Sequence, residues 1–379
     1  MFPFIVLSAL ASIGAKIIYS YFKRHPPKND QGPKVAKSKY NDSIVPFQVE
    51  FSNLVVKDIQ ERLRDRHPLT PPLEGIAFEY GFNSKQLDSW LKYWAEEYPF
   101  SARERYINQY KHYMTNIQGF NIHFVRVTPE GAVRPGFGAD KMAVVMRNLM
   151  SRLGYKKYYV QGGDWGALIT SIMSTFYPNE VLGHHTNSPF LLNPWTSMVK
   201  YCSSFPLHAE SGYMHLQSTK PDTVGVALAD SPAGLAAYIL EKFSTWTNLE
   251  YRSQPDGGLT QRFTKEQLID NVMVYWVSNC ITTSMRLYYE TFHKRYLELR
   301  LEQIPTQVPT FVTRAKNEIY HTSDIVLKKK YPNLLKVTDL EDGGHFLAME
   351  LPEVYAQDVL TAITTFRNWH KEKEARKTE

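Results

Sequence analysis

The feature that most constrains this chain is the run GGDWG at 162–166, which lies between a short apolar strand at 158–161 and a helical segment that Pro178 ends. Glycines beside a central residue allow a sharp turn from strand to helix, and the central side chain then stands exposed above the sheet. Here the central residue is Asp164. The pattern is typical of a nucleophile elbow. It is also compatible with a simple helix start, because the helix dipole stabilises a carboxylate at a helix N-terminus.

Two further positions favour the catalytic interpretation. His345 stands in a Gly-Gly-His-Phe turn before the last helical segment, and Glu318 follows a predicted buried strand at 308–313. The chain order nucleophile, acid, histidine is that of α/β-hydrolases. An aspartate nucleophile attacks carbon and forms an ester, so the chemistry indicated is opening of an epoxide or displacement of a halide. The other histidines considered are interpreted as structural: His184, His185, His208, His215 and His321.

Composition excludes several classes of protein. The chain has 379 residues, of which 43% are hydrophobic and 22% charged, and these fractions are typical of globular proteins rather than of disordered chains. Its two cysteines, Cys202 and Cys280, are too few for a disulfide scaffold or a clustered zinc site. The net charge of +6 is not concentrated in a basic stripe, so no nucleic-acid partner is expected.

The N-terminus predicts a membrane anchor. Residues 2–22 form an apolar run of 21 residues that Lys16 alone interrupts, close to the roughly 20 residues that a helix needs to cross a bilayer. A cleaved signal peptide is disfavoured, because no basic residue precedes the run and no small-residue cleavage site precedes the basic cluster at 23–25. Since this cluster follows the run, we expect a single-pass anchor at 1–22, a linker at 23–42 and a cytosolic catalytic body.

Strand patterns that alternate with helical patterns predict an α/β sheet with an inserted helical lid. The helical patterns lie at 84–97, 101–113, 139–153 and 352–371, and the clearest strand patterns lie at 120–127, 158–161, 308–313 and 334–340. The predicted organisation is an N-terminal region at 43–118, a first part of the sheet at 119–189, the lid at 190–305 and a last part of the sheet at 306–379.

The sequence resembles the microsomal epoxide hydrolases, most closely the insect juvenile hormone epoxide hydrolase branch. The resemblance is carried by YKKYYVQGGDWGAL at 155–168, the stretch at 210–248 that begins ESGYMHLQ, NVMVYW at 271–276, NEIYHT at 317–322 and GGHFLAMELPE at 343–353. It implies an α/β-hydrolase fold, a location in the endoplasmic reticulum membrane and no metal or organic cofactor. It also implies hydrolysis of lipophilic epoxides to diols, with juvenile hormone and cis-stilbene-oxide-type compounds as substrates. Nothing in the sequence indicates an oligomeric state.

The resemblance also implies roles for the elbow and its partners. Asp164 corresponds to the nucleophile, His345 to the base that activates water, and Glu318 to the charge partner of that histidine. The backbone N–H of Trp165 corresponds to one donor to the oxyanion that forms when water attacks the ester.

Two lid tyrosines complete the implied site. Tyr213 and Tyr288 correspond to residues that donate hydrogen bonds to the epoxide oxygen, with Tyr289 as the alternative to the second. A departing alkoxide needs a proton or strong donors, whereas a departing halide needs no proton. The paired tyrosines therefore favour an epoxide hydrolase over a haloalkane dehalogenase.

The chain departs from the family at the second oxyanion donor, which the family takes from a His-Gly-x-Pro loop. No such motif occurs here, and residues 128–137 alone separate the strand that ends at Val127 from the helix that begins near Ala139. A strand, the loop, a helix and another strand would need at least about 40 residues. We therefore expect an internal deletion, such as a splice isoform or an incomplete gene model, and impaired ester hydrolysis. The alternative is an inactive product that binds lipid epoxides or misfolds.

Overall fold

The structure is a computed structural model that describes residues 43–117, 120–124, 128–130, 136–189, 191 and 210–378. The expected anchor at 1–22 and linker at 23–42 lie outside the described residues. Within them, no single helix is both long and apolar enough to cross a bilayer. Two helices, Pro221–Asp230 and Pro232–Thr245, reach that length and apolarity only as a pair, across a bend of 115°.

The first part of the described chain forms an antiparallel sheet and three helices. In chain order the elements are β1 (Ile44–Phe47), α1 (Asn53–Arg64), α2 (Ser84–Glu96), α3 (Phe100–Ile107), β2 (His112–Ile117), β3 (Phe120–Phe124) and β4 (Thr128–Glu130). Each strand pairs with the next, in the order β1-β2-β3-β4. The helix predicted over 101–113 was wrong beyond Ile107. Residues 112–117 pair with β1 on one side and β3 on the other, and this pairing outweighs their local helical pattern.

The rest of the chain alternates helices and parallel strands around a helical insertion. Its elements are α4 (Ala139–Arg152), β5 (Tyr158–Gly162), α5 (Trp165–Phe176), β6 (Val181–Thr186), α6 (Gly212–Thr219), α7 (Pro221–Asp230), α8 (Pro232–Thr245), α9 (Lys265–Ser278), α10 (Ile281–Phe292), α11 (Lys294–Leu297), β7 (Thr310–Arg314), α12 (Asp324–Lys330), β8 (Leu334–Asp339), α13 (Leu347–Glu350) and α14 (Pro352–Thr378). Helices α6–α11 lie within the range predicted as the lid, and two short 3₁₀ helices lie between α8 and α9.

A four-stranded parallel sheet lies at the centre of this second part. Its order is β5-β6-β7-β8, and every pair in it is parallel. Helices cover both faces, which is why strands such as β7 are apolar or buried along nearly their whole length. On one side α14 places Phe366 against Phe311, and on the other α5 places Leu168 and Ile172 in a core with Val160.

Strand β5, which leads into the elbow, stands at the edge of this sheet. Among the described strands it pairs with β6 alone, and the antiparallel and parallel sheets do not join. Helix α4 bridges them instead, because Met142 and Leu149 pack on Ile117 and Ile122 of the hairpin formed by β2 and β3. An edge strand leaves a row of backbone N–H and C=O groups without a strand partner. Residues 158–161 of β5 line a large cavity.

The lid is supported from outside by the N-terminal helices. One apolar cluster joins Trp94 and Leu91 of α2 to Leu240 of α8 and to Leu268 and Met273 of α9, and all five side chains are buried. This cluster fixes the lid helices that carry cavity-lining side chains, so the N-terminal region supports the site without contributing to its chemistry.

Candidate active site

Asp164 occupies a strained turn between strand and helix. Strand β5 ends at Gly162, helix α5 begins at Trp165, and Asp164 between them has φ +48° and ψ −126°. A non-glycine residue in such a conformation costs about 1–3 kcal/mol and persists only where the surrounding structure imposes it. Gly162 permits the turn, because a Cβ atom there would lie 2.2 Å from the carbonyl oxygen of Gly166. The elbow predicted from the GGDWG pattern is therefore present.

Opposing electrostatic effects act on the Asp164 carboxyl. Burial is the largest effect and raises the pKa of this carboxyl overall, while the charge of His345 and the backbone N–H of Trp165 favour the carboxylate and offset part of the rise. Asp164 nevertheless stays accessible to small molecules, because it faces the large cavity that β5 also lines. The carboxylate oxygens of Asp164 are therefore close enough to His345 to interact with its charge, and they also face the open cavity.

The turn that carries His345 is held by its backbone. The N–H of His345 donates to the carbonyl oxygen of Trp246 at 2.8 Å. The N–H groups on either side, of Gly344 and Phe346, donate to the two carboxylate oxygens of Glu350 at 2.8 and 2.9 Å. At Gly344 a Cβ atom would lie 2.5 Å from the carbonyl oxygen of Trp246. The turn therefore cannot shift without breaking contacts to helix α13 and to the end of α8.

His345 and Glu318 form a buried pair. The Nδ1 atom of His345 lies 3.0 Å from Oε1 of Glu318, and their side chains are 7% and 2% exposed. Burial by itself lowers the pKa of His345, but the charge and hydrogen bond of Glu318, together with the charge of Asp164, outweigh it and raise that pKa to about 9. Since Nδ1 faces the carboxylate, Nε2 is the ring atom left for substrate or water. A pKa raised to about 9 favours the imidazolium form in the free site at neutral pH.

Tyr213 and Tyr288 meet above the elbow. Their rings come from α6 and α10 and lie 5.8 Å apart, edge to face, and the indole of Trp165 lies 4.7 Å from Tyr288. Burial raises the pKa of both phenols, so both are neutral donors. Tyr289 is 38% exposed and lies outside the cavity, with its ring centre 5.5 Å from that of His293 in a tilted arrangement. The structure therefore brings Tyr288, and not its neighbour, to the site.

Five of the six predicted site residues line one cavity of about 830 Å³: Asp164, Trp165, Tyr213, Tyr288 and His345. The sixth, Glu318, is paired with His345 and does not line it. The rest of the wall is mostly apolar, with Met142, Met146 and Ile169 among its members. A space of this size and character suits a lipophilic molecule with a few polar atoms. Within the described ranges, no three His, Cys, Asp or Glu side chains are grouped so that they could hold a metal ion.

Comparisons with known proteins give the family. Residues 44–137 match the family described as "Epoxide hydrolase N terminus". The juvenile hormone epoxide hydrolase of Bombyx mori is 46% identical over 97% of this chain and 97% of its own length. Epoxide hydrolase 1 of Oryctolagus cuniculus is 34% identical over 84% of this chain and 88% of its own length. The crystal structure of the silkworm juvenile hormone epoxide hydrolase superimposes with a TM-score of 0.83, over 90% of this chain and 100% of that one.

The chain belongs to the microsomal epoxide hydrolase family. Within that family it is of the juvenile hormone type, it is an enzyme of the epoxide hydrolase class, and its fold is that of the α/β-hydrolases. Epoxide hydrolases open a three-membered ring with water. The site accordingly needs a group that attacks carbon, donors for the ring oxygen and a base for water. The described cavity contains one candidate or more for each.

Sequence reasoning missed three residues of this epoxide hydrolase site. Glu350 clamps the His345 turn, and Trp246 places its ring 4.8 Å from the imidazole. Lys242, one helical turn before Trp246, also lines the cavity. The sequence did contain a signal for Glu350. This glutamate lies four residues after Phe346 on a short helix, and at that spacing its carboxylate can accept a hydrogen bond from the backbone N–H of Phe346. For Lys242 and Trp246 no local signal existed, because their contacts join distant parts of the chain.

Two of the histidines interpreted as structural, His184 and His185, are buried on strand β6 away from the cavity. His184 is buried on β6, with its Nε2 atom 3.1 Å from the Thr170 hydroxyl, and burial lowers its pKa to about 3. His185 pairs with Asp358 at 2.9 Å, and neither residue lines the cavity. His208 lies outside the described residues. The His185–Asp358 pair shows that a buried histidine and carboxylate occur twice in this fold, and only one pair faces the nucleophile.

Proposed function

We propose that this chain opens lipophilic epoxides, juvenile hormone among them, through a covalent ester on Asp164. One observation carries the proposal: a carboxylate on a strained elbow, an imidazole paired with a buried carboxylate, and two neutral phenols all face one apolar cavity. Each of these groups has a step to perform in epoxide hydrolysis, and serine-type ester hydrolysis would leave the phenols without a role.

In the first step a carboxylate oxygen of Asp164 forms a bond to one epoxide carbon while the carbon–oxygen bond of the ring breaks. The electron pair of that bond stays on the ring oxygen. Tyr213 and Tyr288 hold this oxygen, and one of them gives it a proton. The products are a glycol monoester of Asp164 and a tyrosinate, which regains its proton from water. The neutral phenols suit this step, because a phenol donates only while it is protonated.

The second step needs His345 as a base, and the first step prepares it. The negative charge of Asp164 is one cause of the raised pKa of His345. Formation of the neutral ester removes that charge, so the pKa of His345 falls and the imidazolium loses its proton more readily. Neutral Nε2 then takes a proton from water, which attacks the ester carbonyl and releases the diol and the Asp164 carboxylate. Glu318 keeps the ring oriented and stabilises the imidazolium that forms.

The oxyanion of this second step is where we expect the chain to be weak. The backbone N–H of Trp165 already points at the Asp164 carboxyl group and supplies one donor. Support for a missing second donor comes from the open edge of β5 and from alignment length. The alignment with the Bombyx mori relative runs over 448 positions, against 379 residues in this chain. Loss of one oxyanion donor slows such a step by roughly 10²–10³-fold. The ester should therefore accumulate.

Intact-mass spectrometry after mixing with cis-stilbene oxide tests this proposal. We expect a mass increase of one epoxide, mapped by peptide digestion to Asp164, together with slow release of diol. Asp164→Asn should give no adduct. Asp358→Asn is the matched control, because it makes the same change in the His185 pair outside the cavity. Fast diol release with no adduct would refute the weak second step. Absence of both adduct and diol would favour an inactive binder or a misfolded product.

We also propose that residues 1–22 anchor the protein in the endoplasmic reticulum membrane with its catalytic body in the cytosol. The support is the apolar run and the basic cluster that follows it. A membrane-bound site suits substrates that partition into lipid. Alkaline extraction of microsomes should leave the full chain in the pellet and release a variant without residues 1–42. Protease added to sealed microsomes should digest the catalytic body. Full protection of the body would mean that it lies in the lumen and not in the cytosol.

A further inference from the structure

Lys242 brings a positive charge to the cavity, and no step of the proposed reaction uses it. It lies near the end of helix α8, and among the described residues that line the cavity it is the only lysine or arginine. Its Nζ atom is 5.2 Å from the ring centre of Tyr213 and 5.5 Å from that of Trp246. An ammonium group over an aromatic face at this distance is in the range of a cation–π contact.

The position of Lys242 is set by two carboxylates behind it. Its Nζ atom lies 2.7 Å from Glu241 and 3.7 Å from Glu210, and the side chain is 18% exposed. Glu210 is itself held by the hydroxyl of Thr245 at 2.9 Å and by Arg252 at 3.4 Å. The ammonium group is therefore fixed between an anionic cluster on one side and the Tyr213 ring on the other.

Tyr213 is the lid phenol whose ring lies beside Lys242. It faces the cavity together with Tyr288, and the two rings lie 5.8 Å apart, edge to face. The ring of Tyr288 lies in turn 4.7 Å from the indole of Trp165. When Tyr213 gives its proton to a substrate in this cavity, the charge that develops is on the ring beside Lys242.

We propose that Lys242 is a positioning residue of the ring-opening step, which stabilises the negative charge that Tyr213 acquires when it gives its proton to the epoxide oxygen. The inference rests on the proposed function. In this step the Tyr213 O–H bond breaks, the proton goes to the ring oxygen, and the phenolate charge is balanced by the Lys242 ammonium group. Lys242 touches neither the epoxide nor Asp164. It acts through Tyr213.

The test uses two small epoxides that differ in their need for a proton. Propylene oxide leaves a strongly basic alkoxide, whereas its trifluoromethyl analogue leaves a much less basic one. The rate of ester formation on Asp164 is measured by rapid quenching and intact mass for Lys242→Met, Lys242→Arg and the unchanged chain. Lys265→Met is the matched control, because the Lys265 ammonium also lies 5.2 Å from a tyrosine ring, that of Tyr93, outside the cavity.

We expect Lys242→Met to slow ester formation from propylene oxide by about tenfold and from the trifluoromethyl analogue far less. Lys242→Arg keeps the positive charge and should retain most of the rate of the unchanged chain. Equal slowing of both epoxides would mean a structural role only and would overturn the inference, as would an unchanged rate. Lys242→Met removes the cation 2.7 Å from the partly buried Glu241 carboxylate. The double variant with Glu241→Gln is therefore measured as well, and it should show the same difference between the two epoxides as Lys242→Met alone. No adduct on the unchanged chain would refute the proposed function first, and this inference with it.

Discussion

Glu318→Gln is the change that most directly tests the second half of the proposed reaction. The His345–Glu318 contact is 3.0 Å long and nearly fully buried, and the second oxygen of Glu318, Oε2, is buried without a hydrogen-bond partner among the described residues. A glutamine cannot replace the carboxylate there. If its oxygen faces His345, its NH₂ group occupies the position without an acceptor; if its NH₂ faces His345, two donors oppose each other.

The size of the effect follows from the pair itself. A rise in the pKa of His345 from 6.5 to about 9 corresponds to roughly 3 kcal/mol in favour of the imidazolium. Burial acts against this rise, so the carboxylates contribute more than the net value. A buried hydrogen bond to a charged group contributes about 1.5–3 kcal/mol. We therefore expect Glu318→Gln to slow hydrolysis of the Asp164 ester by about 10²-fold or more, and to change the rate of ester formation little.

Two rates measured on one sample separate these steps. The appearance of the Asp164 adduct reports ring opening, and its decay after removal of excess epoxide reports hydrolysis. The decay rate should rise with pH and level off above the pKa of His345 in the ester, because only neutral imidazole accepts a proton from water. In Glu318→Gln this transition should move to lower pH, since a negative charge has been removed. Glu302→Gln, a buried glutamate bonded to Tyr296 away from the cavity, is the matched control.

Equal adduct decay in Glu318→Gln and in the unchanged chain would refute the assignment of His345 as the base. A pH transition that moved upward would contradict the sign of the electrostatic argument. Equal slowing of adduct formation and decay would mean that the substitution disturbed the whole cavity.

Three further predictions address other parts of the molecule. Asp164→Asn should lower the pKa of His345 below about 9, because a negative charge that raises it is lost, and NMR titration of the ring protons measures this. Tyr213→Phe should slow ester formation by about 10²-fold while leaving adduct decay nearly unchanged, as rapid-quench mass spectrometry would show. The folded-state pKa of His184, about 3, lies below its unfolded value of about 6.5, so the unfolded chain binds the extra proton. The free energy of unfolding should therefore fall as pH drops below about 6.5, by up to about 1.4 kcal/mol per pH unit. Chemical denaturation at several pH values should show that this free energy depends less steeply on pH in His184→Gln.

Each of these predictions has an outcome that would contradict it. An unchanged pKa of His345 in Asp164→Asn would mean that the two side chains do not interact. Adduct decay slowed as much as adduct formation in Tyr213→Phe would remove the special role of that phenol in ring opening. If the free energy of unfolding depends on pH as steeply in His184→Gln as in the unchanged chain, groups other than His184 cause the loss of stability in acid.

The elbow was predictable because its chemistry is local. GGDWG between a strand and a helix specifies a turn that glycine alone allows at position 162, and an aspartate at its apex. His345 and Glu318 were predictable from their places after strands, since strand ends in a parallel sheet meet at one edge. Tyr213 and Tyr288 were identified through the family resemblance, and the structure brings both to the cavity. Their roles stay predictions until the adduct experiments are done.

Other features depended on contacts that no local pattern contains. Residues 108–113 look helical, and pairing with the distant strand β1 and with the neighbouring strand β3 makes a strand begin at His112. Tyr288 and Tyr289 are adjacent in sequence, and the rotation of α10 in the packed lid decides which ring enters the cavity. The place of Lys242 over Tyr213 depends on how α6 and α8 pack. Sequence alone therefore determined which reactive groups this protein has, because turns and strand ends are read from neighbouring residues. The tertiary structure decided which groups meet, because that depends on how separate helices orient against one another.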